Sequence, residues 1–522
     1  MIRWLRAHAT SLCLVFLLLL GAYLRLYKIS EYMTFLGDEG RDMLVIKHMI
    51  VDHKFTLLGP TASVGGFFLG PIYYYFMLPF VWLWQLDPTG AAVMVALAGI
   101  ATIYLIYRVG KEFFDEWVGL IAASLYTVSP VVIAYSRSSW NPNLVPLFST
   151  WLIYMLWLTV VKKNPKLLFW IGVILGIGLQ LHYLFLFLFP VVLVWFVLFG
   201  REKKMLRYYA LGIIGFVIGY GPFLAFELRH GFPNTISIIR FLRTGQDTGF
   251  VLSTFIATIT DVSYRLFGRL LVRLPQPEVM VNVPAQFKLI WDVVIKFLQW
   301  ASLGLIATYI ARLVMFPFTS VEHKHKNNSR LSAILMLLWF FVPLLLFGLY
   351  KKSIYDYYFG LFFAVPFLLT ALLLRAMSVR MIGRIVAIFV LGYMLFYNWQ
   401  GRPFVTPPNN QLGQARLIAR AALDKAEGKP FNFALLANFN SDHAYRYFFE
   451  IWGSAPVTIE REEIDPERKT VTDQLIIICE LPECKPLGHP LWEIAGFGRA
   501  EIAGEWPVSF VRVQRLVHYQ GK

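Results

Sequence analysis

The sequence predicts an all-α polytopic membrane protein of about eleven transmembrane helices, followed by a soluble C-terminal α/β domain. Three observations carry this. Of 522 residues, 57% are hydrophobic and 15% are charged, where an ordinary soluble domain carries about 25% charged residues. Apolar runs approaching the ~20 residues needed to cross a bilayer core recur up to Trp399. After Trp399 the runs stop, and turn-rich, strand-like and amphipathic segments take over.

Residues 1–27, "MIRWLRAHATSLCLVFLLLLGAYLRLY", begin basic and turn apolar. A cleaved leader would show a small-residue cleavage site after its apolar core. "LRLYKISEYM" follows instead, so an uncleaved span with a cytoplasmic N-terminus is expected. Further spans are expected near 89–107, 118–135, 144–161, 167–181, 184–199, 208–226, 289–312, 331–349, 358–375 and 382–398. The stretch 70–86, "GPIYYYFMLPFVWLWQL", is apolar but short, holds Pro79 and is rich in the aromatics that favour membrane interfaces. If it does not cross, the loops carrying Arg108, Lys111, Lys162, Lys163, Lys166, Arg201, Lys203, Lys204, Arg207, Arg375, Arg380 and Arg384 all join the N-terminus inside, as the positive-inside rule requires. It is therefore expected to lie along or dip into the outer leaflet. The resulting division is a membrane domain over 1–399, with outer loops at 28–88 (bearing juxtamembrane helices) and 227–288, and an extracytoplasmic domain over 400–522. In the latter, "QARLIARAALDKAEG" reads as a helix, and "FNFALLA" and "QLIIICE" read as strands.

The formal charge of +16 is accounted for by cytoplasmic loops and anionic headgroups, and no nucleic-acid motif accompanies it. Cys13 lies in the first apolar run, and "CELPEC" leaves a Cys479–Cys484 disulfide open from sequence. The small residues of "GVILGIGLQ", Gly172, Gly176 and Gly178, read as helix packing.

The expected topology gathers several polar motifs on one outer face. "FLGDEGRDM" (35–43) puts Asp38, Glu39, Arg41 and Asp42 just after the first span. It reads either as a solvated loop or as a carboxylate pair serving as base or cation ligand. In "SRSSWNPN" (136–143), Arg137 is the one formal charge between Glu116 and Lys162. It offers a forked donor for phosphate, with Asn141 as an orienting hydrogen bonder. Gln180, His182 and Tyr183 sit where two apolar runs meet; they receive a headgroup or are merely solvated. Glu227, Arg229 and His230 follow a span directly and are read chiefly as caps. In "KKSIYDYYFG", Lys351, Lys352, Asp356 and Tyr358 are either interface anchors or contacts for a lipid phosphate.

The acidic "GDEGRD" loop after a first span, the aromatic stretch, and then "FFDEWVGLIAASLYTVSPVVIAYSRSSWNPN" resemble the GT-C membrane glycosyltransferases. The similar branch is the one containing protein O-mannosyltransferases and bacterial aminoarabinose transferases. The resemblance is strong over about 20–200, looser to about 375 and absent from 400–522. It implies a GT-C-like fold in the plasma (inner) membrane and an inverting transfer of a sugar from a polyprenyl-phosphate carrier. The acceptor, a glycan, lipid or protein, would be met on the extracytoplasmic face. Asp38 maps onto the family's acidic residue, at the acceptor or at a divalent metal ion shared with Glu39. Several relatives carry an aspartate near Asn141, so a metal ligand there departs from this sequence. His182 falls at the turn where aminoarabinose transferases carry a lysine, and Tyr358 falls in the late tyrosine–proline span.

Displacement at an anomeric carbon needs a base for the acceptor and fixed donors for the departing phosphate. The sequence assigns Asp38 as base, alone or through a metal with Glu39. Arg41, Arg137, Asn141, His182, Tyr183, Lys351 and Tyr358 are assigned to donor binding. A transporter or flippase, or an inactive scaffold, are the competing classes. No internal repeat favours the first, and Asp38 with Arg137 disfavours the second.

Overall fold

The structure is a computed structural model, described for residues 2–521 apart from 63–64, 202, 245–246, 276–282 and 316–322. Parts of the expected 227–288 loop therefore lie outside the described residues. The chain forms two compact units: 1–27, 57–76 and 93–407 in the first, and 28–56, 77–92 and 408–522 in the second. An expected cut after residue 399 falls close to the break at Pro407. The second unit, however, also takes in 28–56 and 77–92, which the sequence assigns to the membrane domain: its outer loop up to residue 88 and the start of the 89–107 span.

The first unit is helical. Five helices in the described residues are long and apolar enough to cross a membrane: His8–Leu26, Thr89–Phe113, Asn141–Val161, Arg330–Phe347 and Met381–Trp399. The number rises to seven if two bent pairs are each one span. The expected windows at 118–135, 167–181 and 184–199 fold as shorter apolar helices, Glu116–Val128, Leu167–Leu181 and Tyr183–Phe199, and the window at 289–312 falls within the helix Ala285–Met315. Of the bent pairs, Tyr209–Gly219 and Gly221–His230 turn by 75°, with Pro222 opening the second helix. Asp356–Phe362 and Ala364–Met377 turn by 62°. The 70–86 stretch gives a helix of 12 residues, Ile72–Leu83, about 18 Å long and well short of the ~30 Å core.

Leu167–Leu181 packs on Tyr209–Gly219 through glycines. A Cβ on Gly176 would meet Tyr220 N at 2.6 Å, and one on Gly215 would meet Val173 N at 3.1 Å. Gly172 is equally tight against Gly212, while Gly178 faces the Phe185 ring. Small residues here let two backbones approach, as the sequence suggests. Glu227 caps the following helix, Pro233–Thr244: it accepts from Asn234 N at 3.2 Å, Asn234 Nδ2 at 2.9 Å, Thr235 N at 2.8 Å and Thr235 Oγ1 at 2.7 Å.

The second unit contains a four-stranded sheet, β1 (Asn432–Leu436), β2 (Gln474–Cys479), β3 (Ala500–Val508) and β4 (Val511–His518), in the order β1-β2-β4-β3. β1 and β2 run parallel, and the other pairings are antiparallel. β1 and β2 are the two apolar runs read from sequence; fully buried β2 sits inside the sheet, and its inward side chains join Leu516 in the core. Helix Gln411–Ala426 occupies the predicted helical segment. Cys479 and Cys484 form a disulfide.

Candidate functional site

In the second unit, the acidic motif opens the helix Gly37–Val51. Leu36 is extended, and Glu39 at the third helical position reaches back to accept from Leu36 N at 2.9 Å. Carboxylates in a first helical turn are favoured by the macrodipole, but their three-dimensional fates differ. Glu39 is 8% exposed, and burial, aided by Asp42 and Asp38, pushes its pKa up to about 7. Asp42 is 1% exposed. Asp38, with a side chain 61% exposed, faces outward. Arg41 ties the row together, donating from Nη1 to Asp38 Oδ1 at 2.8 Å, and from Nη2 and Nε to Asp42 Oδ1 at 2.9 and 3.1 Å. Its guanidinium thus serves two carboxylates of its own helix, and the reading of Arg41 as a phosphate donor gives way to one as partner of Asp38.

The glycines of the motif explain the helix's seat. A Cβ on Gly37 would meet Ser441 N at 2.8 Å, and one on Gly40 would land on the Ala444 backbone. Helix His443–Ile451 therefore packs directly on the acidic helix. Gly37 N donates to Asn440 Oδ1 at 2.9 Å, and Asn440 Nδ2 in turn donates to Glu480 Oε1 at 2.9 Å. Tyr445 OH completes the chain to Glu480 at 2.7 Å. Beside it, His443 Nδ1 lies 2.8 Å from Ser441 Oγ, and burial lowers the His443 pKa.

The donor set does not fit a shared metal. Glu39 is turned to the Leu36 amide, Arg41 stands between Asp38 and Asp42, and among the described residues no group of three His, Cys, Asp or Glu side chains could hold an ion. The Asp38–Glu39 metal pair expected from sequence is corrected on that ground.

The remaining candidates lie in the first unit. Arg137 is buried and donates to Leu24 O at 2.9 Å and Tyr27 O at 2.8 Å, with Phe404 5.3 Å below its guanidinium. It laces the end of the first helix, and that use replaces the expected phosphate fork. Asn141 is buried and donates from Nδ2 to Leu181 O at 2.6 Å, fixing the turn beside His182. Gln180 Nε2 donates to Gly219 O at 2.6 Å.

His182 ends helix Leu167–Leu181 and caps the next turn, its Nδ1 accepting from Leu184 N at 3.2 Å. Burial lowers its pKa to about 3, so the ring is neutral and carries its proton on Nε2. It can donate a hydrogen bond but supplies no positive charge. The ring stacks on Tyr183 (centroids 4.7 Å) and meets Tyr358 at 5.3 Å. Tyr183 OH and Tyr350 OH are 3.4 Å apart, and burial pushes the Tyr350 phenol up to about 12. Sequence-predicted His182, Tyr183 and Tyr358 thus do meet, in one aromatic cluster. Lys351 is exposed, its amide donating to Asp247 O at 2.9 Å, while Lys352 Nζ pairs with Asp247 Oδ1 at 2.9 Å.

A group that the sequence reading missed adjoins this cluster. Arg265 and Arg269, one turn apart on helix Leu252–Leu271, both reach buried Asp356: Arg265 Nη2 to Oδ1 at 2.7 Å and Arg269 Nε to Oδ2 at 2.6 Å. Asp261, 55% exposed, pairs with Arg265 at 3.1 Å. Arg265 also lies 5.2 Å over the Phe359 ring. The signal was the spacing "RLFGR", two arginines on one helical face in a stretch taken as loop.

Residues 70–225 match the family described as dolichyl-phosphate-mannose-protein mannosyltransferase. The fold is similar to that of ArnT from Cupriavidus metallidurans bound to undecaprenyl phosphate, with 12% identity, 98% of each chain covered and a TM-score of 0.60. It is also similar to the archaeal oligosaccharyltransferase AglB from Archaeoglobus fulgidus in complex with an inhibitory peptide and a dolichol-phosphate. There the identity is 14%, 91% of this chain and 70% of that one are covered, and the TM-score is 0.51. No curated protein matches the sequence. The family match is confined to residues 70–225, and the likeness to ArnT and AglB is one of fold.

Proposed function

We propose that this chain is a GT-C glycosyltransferase of the O-mannosyltransferase and ArnT-like branch that transfers a sugar, with inversion, from a polyprenyl-phosphate carrier to an acceptor hydroxyl on the extracytoplasmic face of the plasma membrane. The observation that carries the reading is the sorting of the acidic motif. Three carboxylates open one helix, two are buried, and Asp38 alone of the three projects outward with Arg41 at 2.8 Å. An exposed, oriented carboxylate is what deprotonation of an acceptor hydroxyl needs. Glu39 and Asp42 act as positioning residues, one capping the helix start and the other holding Arg41.

On the donor side, charge balance supports Arg265 and Arg269 as the groups that meet the carrier phosphate. Two guanidiniums share one buried carboxylate, Asp356, while Asp261, the second partner of Arg265, is 55% exposed and screened by solvent, so on its buried side the cluster keeps positive charge for an anion whose charge grows as the glycosidic bond breaks. Preorganised donors of this kind are worth about 2.7–4 kcal/mol each in the transition state. Tyr183, Tyr358 and the Nε2 proton of His182 add neutral donors, and Lys351 adds an exposed cation. Polyprenyl phosphates are bound in the ArnT and AglB structures, which supports that donor class here. A cytoplasmic N-terminus is supported by the basic loops, and an extracytoplasmic second unit by its Cys479–Cys484 disulfide, a bond of oxidising compartments.

The test is transfer from a radiolabelled polyprenyl-phosphate sugar by purified protein in liposomes, wild type against Asp38→Asn at matched expression. The reading expects label to move to acceptor with the former and not with the latter. Equal transfer by both removes Asp38 from the role, and uptake of label without transfer turns the assignment to transport.

A further inference from the structure

A groove of about 650 Å³ opens on the first unit between the first helix, Glu116–Val128, Ala364–Met377 and Met381–Trp399. Its walls are apolar, with Phe16, Leu17, Leu120 and Ile388 among them. One end is not: Arg375, Ser378 and Arg384 line it together. Arg375 is neutralised by Asp115, Nε to Oδ2 at 2.6 Å. Arg384 donates from Nε to the Ser378 carbonyl at 3.2 Å, an uncharged partner that leaves its positive charge in place. From Arg384 to Leu395, the groove's other limit on the last helix, is eleven residues of sequence, or about 16 Å of helix. That is the depth of one leaflet, half of a ~30 Å core. A second apolar cavity, of about 290 Å³, shares Phe16, Leu17, Ser124 and Leu395 with the first and continues to Trp399.

We propose that this groove is a binding site for one anionic phospholipid, its acyl chains along the apolar walls and its phosphate at Arg384. Charge complementarity selects the occupant. A zwitterionic headgroup brings its own cation to the basic end, whereas an anionic one does not. None of the groove's lining residues belongs to the acidic motif or to the Arg265–Arg269–Asp356 cluster, so the proposal stands whether or not the catalytic reading does.

The test is native mass spectrometry of the full-length protein, purified in detergent and offered equal amounts of phosphatidylglycerol and phosphatidylcholine with matched chains. Retention is expected to favour phosphatidylglycerol about fivefold, the factor that one arginine near an anionic headgroup supplies. Arg384→Gln should abolish the preference. Ile388→Trp, at an exposed wall position, should lower retention of both lipids by filling the groove while leaving thermal unfolding intact. Equal retention of the two lipids by the wild type, or an unchanged preference in Arg384→Gln, overturns the proposal and reduces the groove to ordinary bilayer contact.

Discussion

Arg41 Nη1 stands 2.8 Å from Asp38 Oδ1 while the same guanidinium holds buried Asp42 at 2.9 Å. The outward carboxylate is thereby oriented by a cation anchored in its own helix. This makes Asp38 separable from stability. Asp38→Asn should lower transfer by about 10²–10⁴-fold, the usual range for a positioned base, with thermal unfolding of the detergent-solubilised protein nearly unchanged. A large fall in melting temperature, with activity lost in proportion, would make Asp38 structural instead.

Glu39 gives a pH prediction with a definite sign. Burial raises its folded-state pKa to about 7 from the ordinary glutamate value of 4.5, so between those values the folded protein holds a proton that the unfolded chain has released. Stability attributable to Glu39 is therefore lost as pH rises from about 4.5 to 7, by an amount on the order of 3 kcal/mol. Glu39→Gln keeps an acceptor for Leu36 N and removes the titration. Melting curves from pH 4.5 to 8 should flatten in the variant and cross above the wild type near neutrality. Parallel curves would show that Glu39 does not titrate in this window.

The Arg265–Arg269–Asp356 cluster separates folding from donor use. Arg269→Gln leaves a buried carboxylate short of a partner, at a cost of about 3–5 kcal/mol for a broken buried pair. Adding Asp356→Asn should restore much of that stability, because the unbalanced charge goes with it. Transfer from the polyprenyl-phosphate donor should stay low in both variants, since the guanidinium is absent from each. Recovery of transfer along with stability would mark the cluster as scaffolding.

Gly40→Ala tests whether the acidic helix folds as part of the second unit. The added methyl meets the Ala444 backbone, and overpacking of this kind costs typically about 1–3 kcal/mol. Proteolysis of the 408–522 region should accelerate in the variant. A silent substitution would mean that the two helices do not pack as described.

What the sequence determined by itself follows from short-range physics. Hydropathy marked the helical membrane part and its change of character after Trp399, and strand propensity marked β1 and β2. Glycine spacing marked the packed helix at 167–181, and local charge marked the acidic motif. Only tertiary structure decided what those groups do, because each choice depends on a partner far along the chain. Gly37 and Gly40 needed Ser441 and Ala444 before their small size had a reason, and the same packing buries Glu39 and Asp42 while turning Asp38 outward. Arg137 looked available until the Leu24 and Tyr27 carbonyls took its guanidinium. His182 carried a possible charge until burial removed it. Arg265 and Arg269 were unremarkable until Asp356, some ninety residues on, closed the cluster. A local pattern fixes which face a side chain shares with its neighbours, but desolvation and pairing are settled only by what packs against that face.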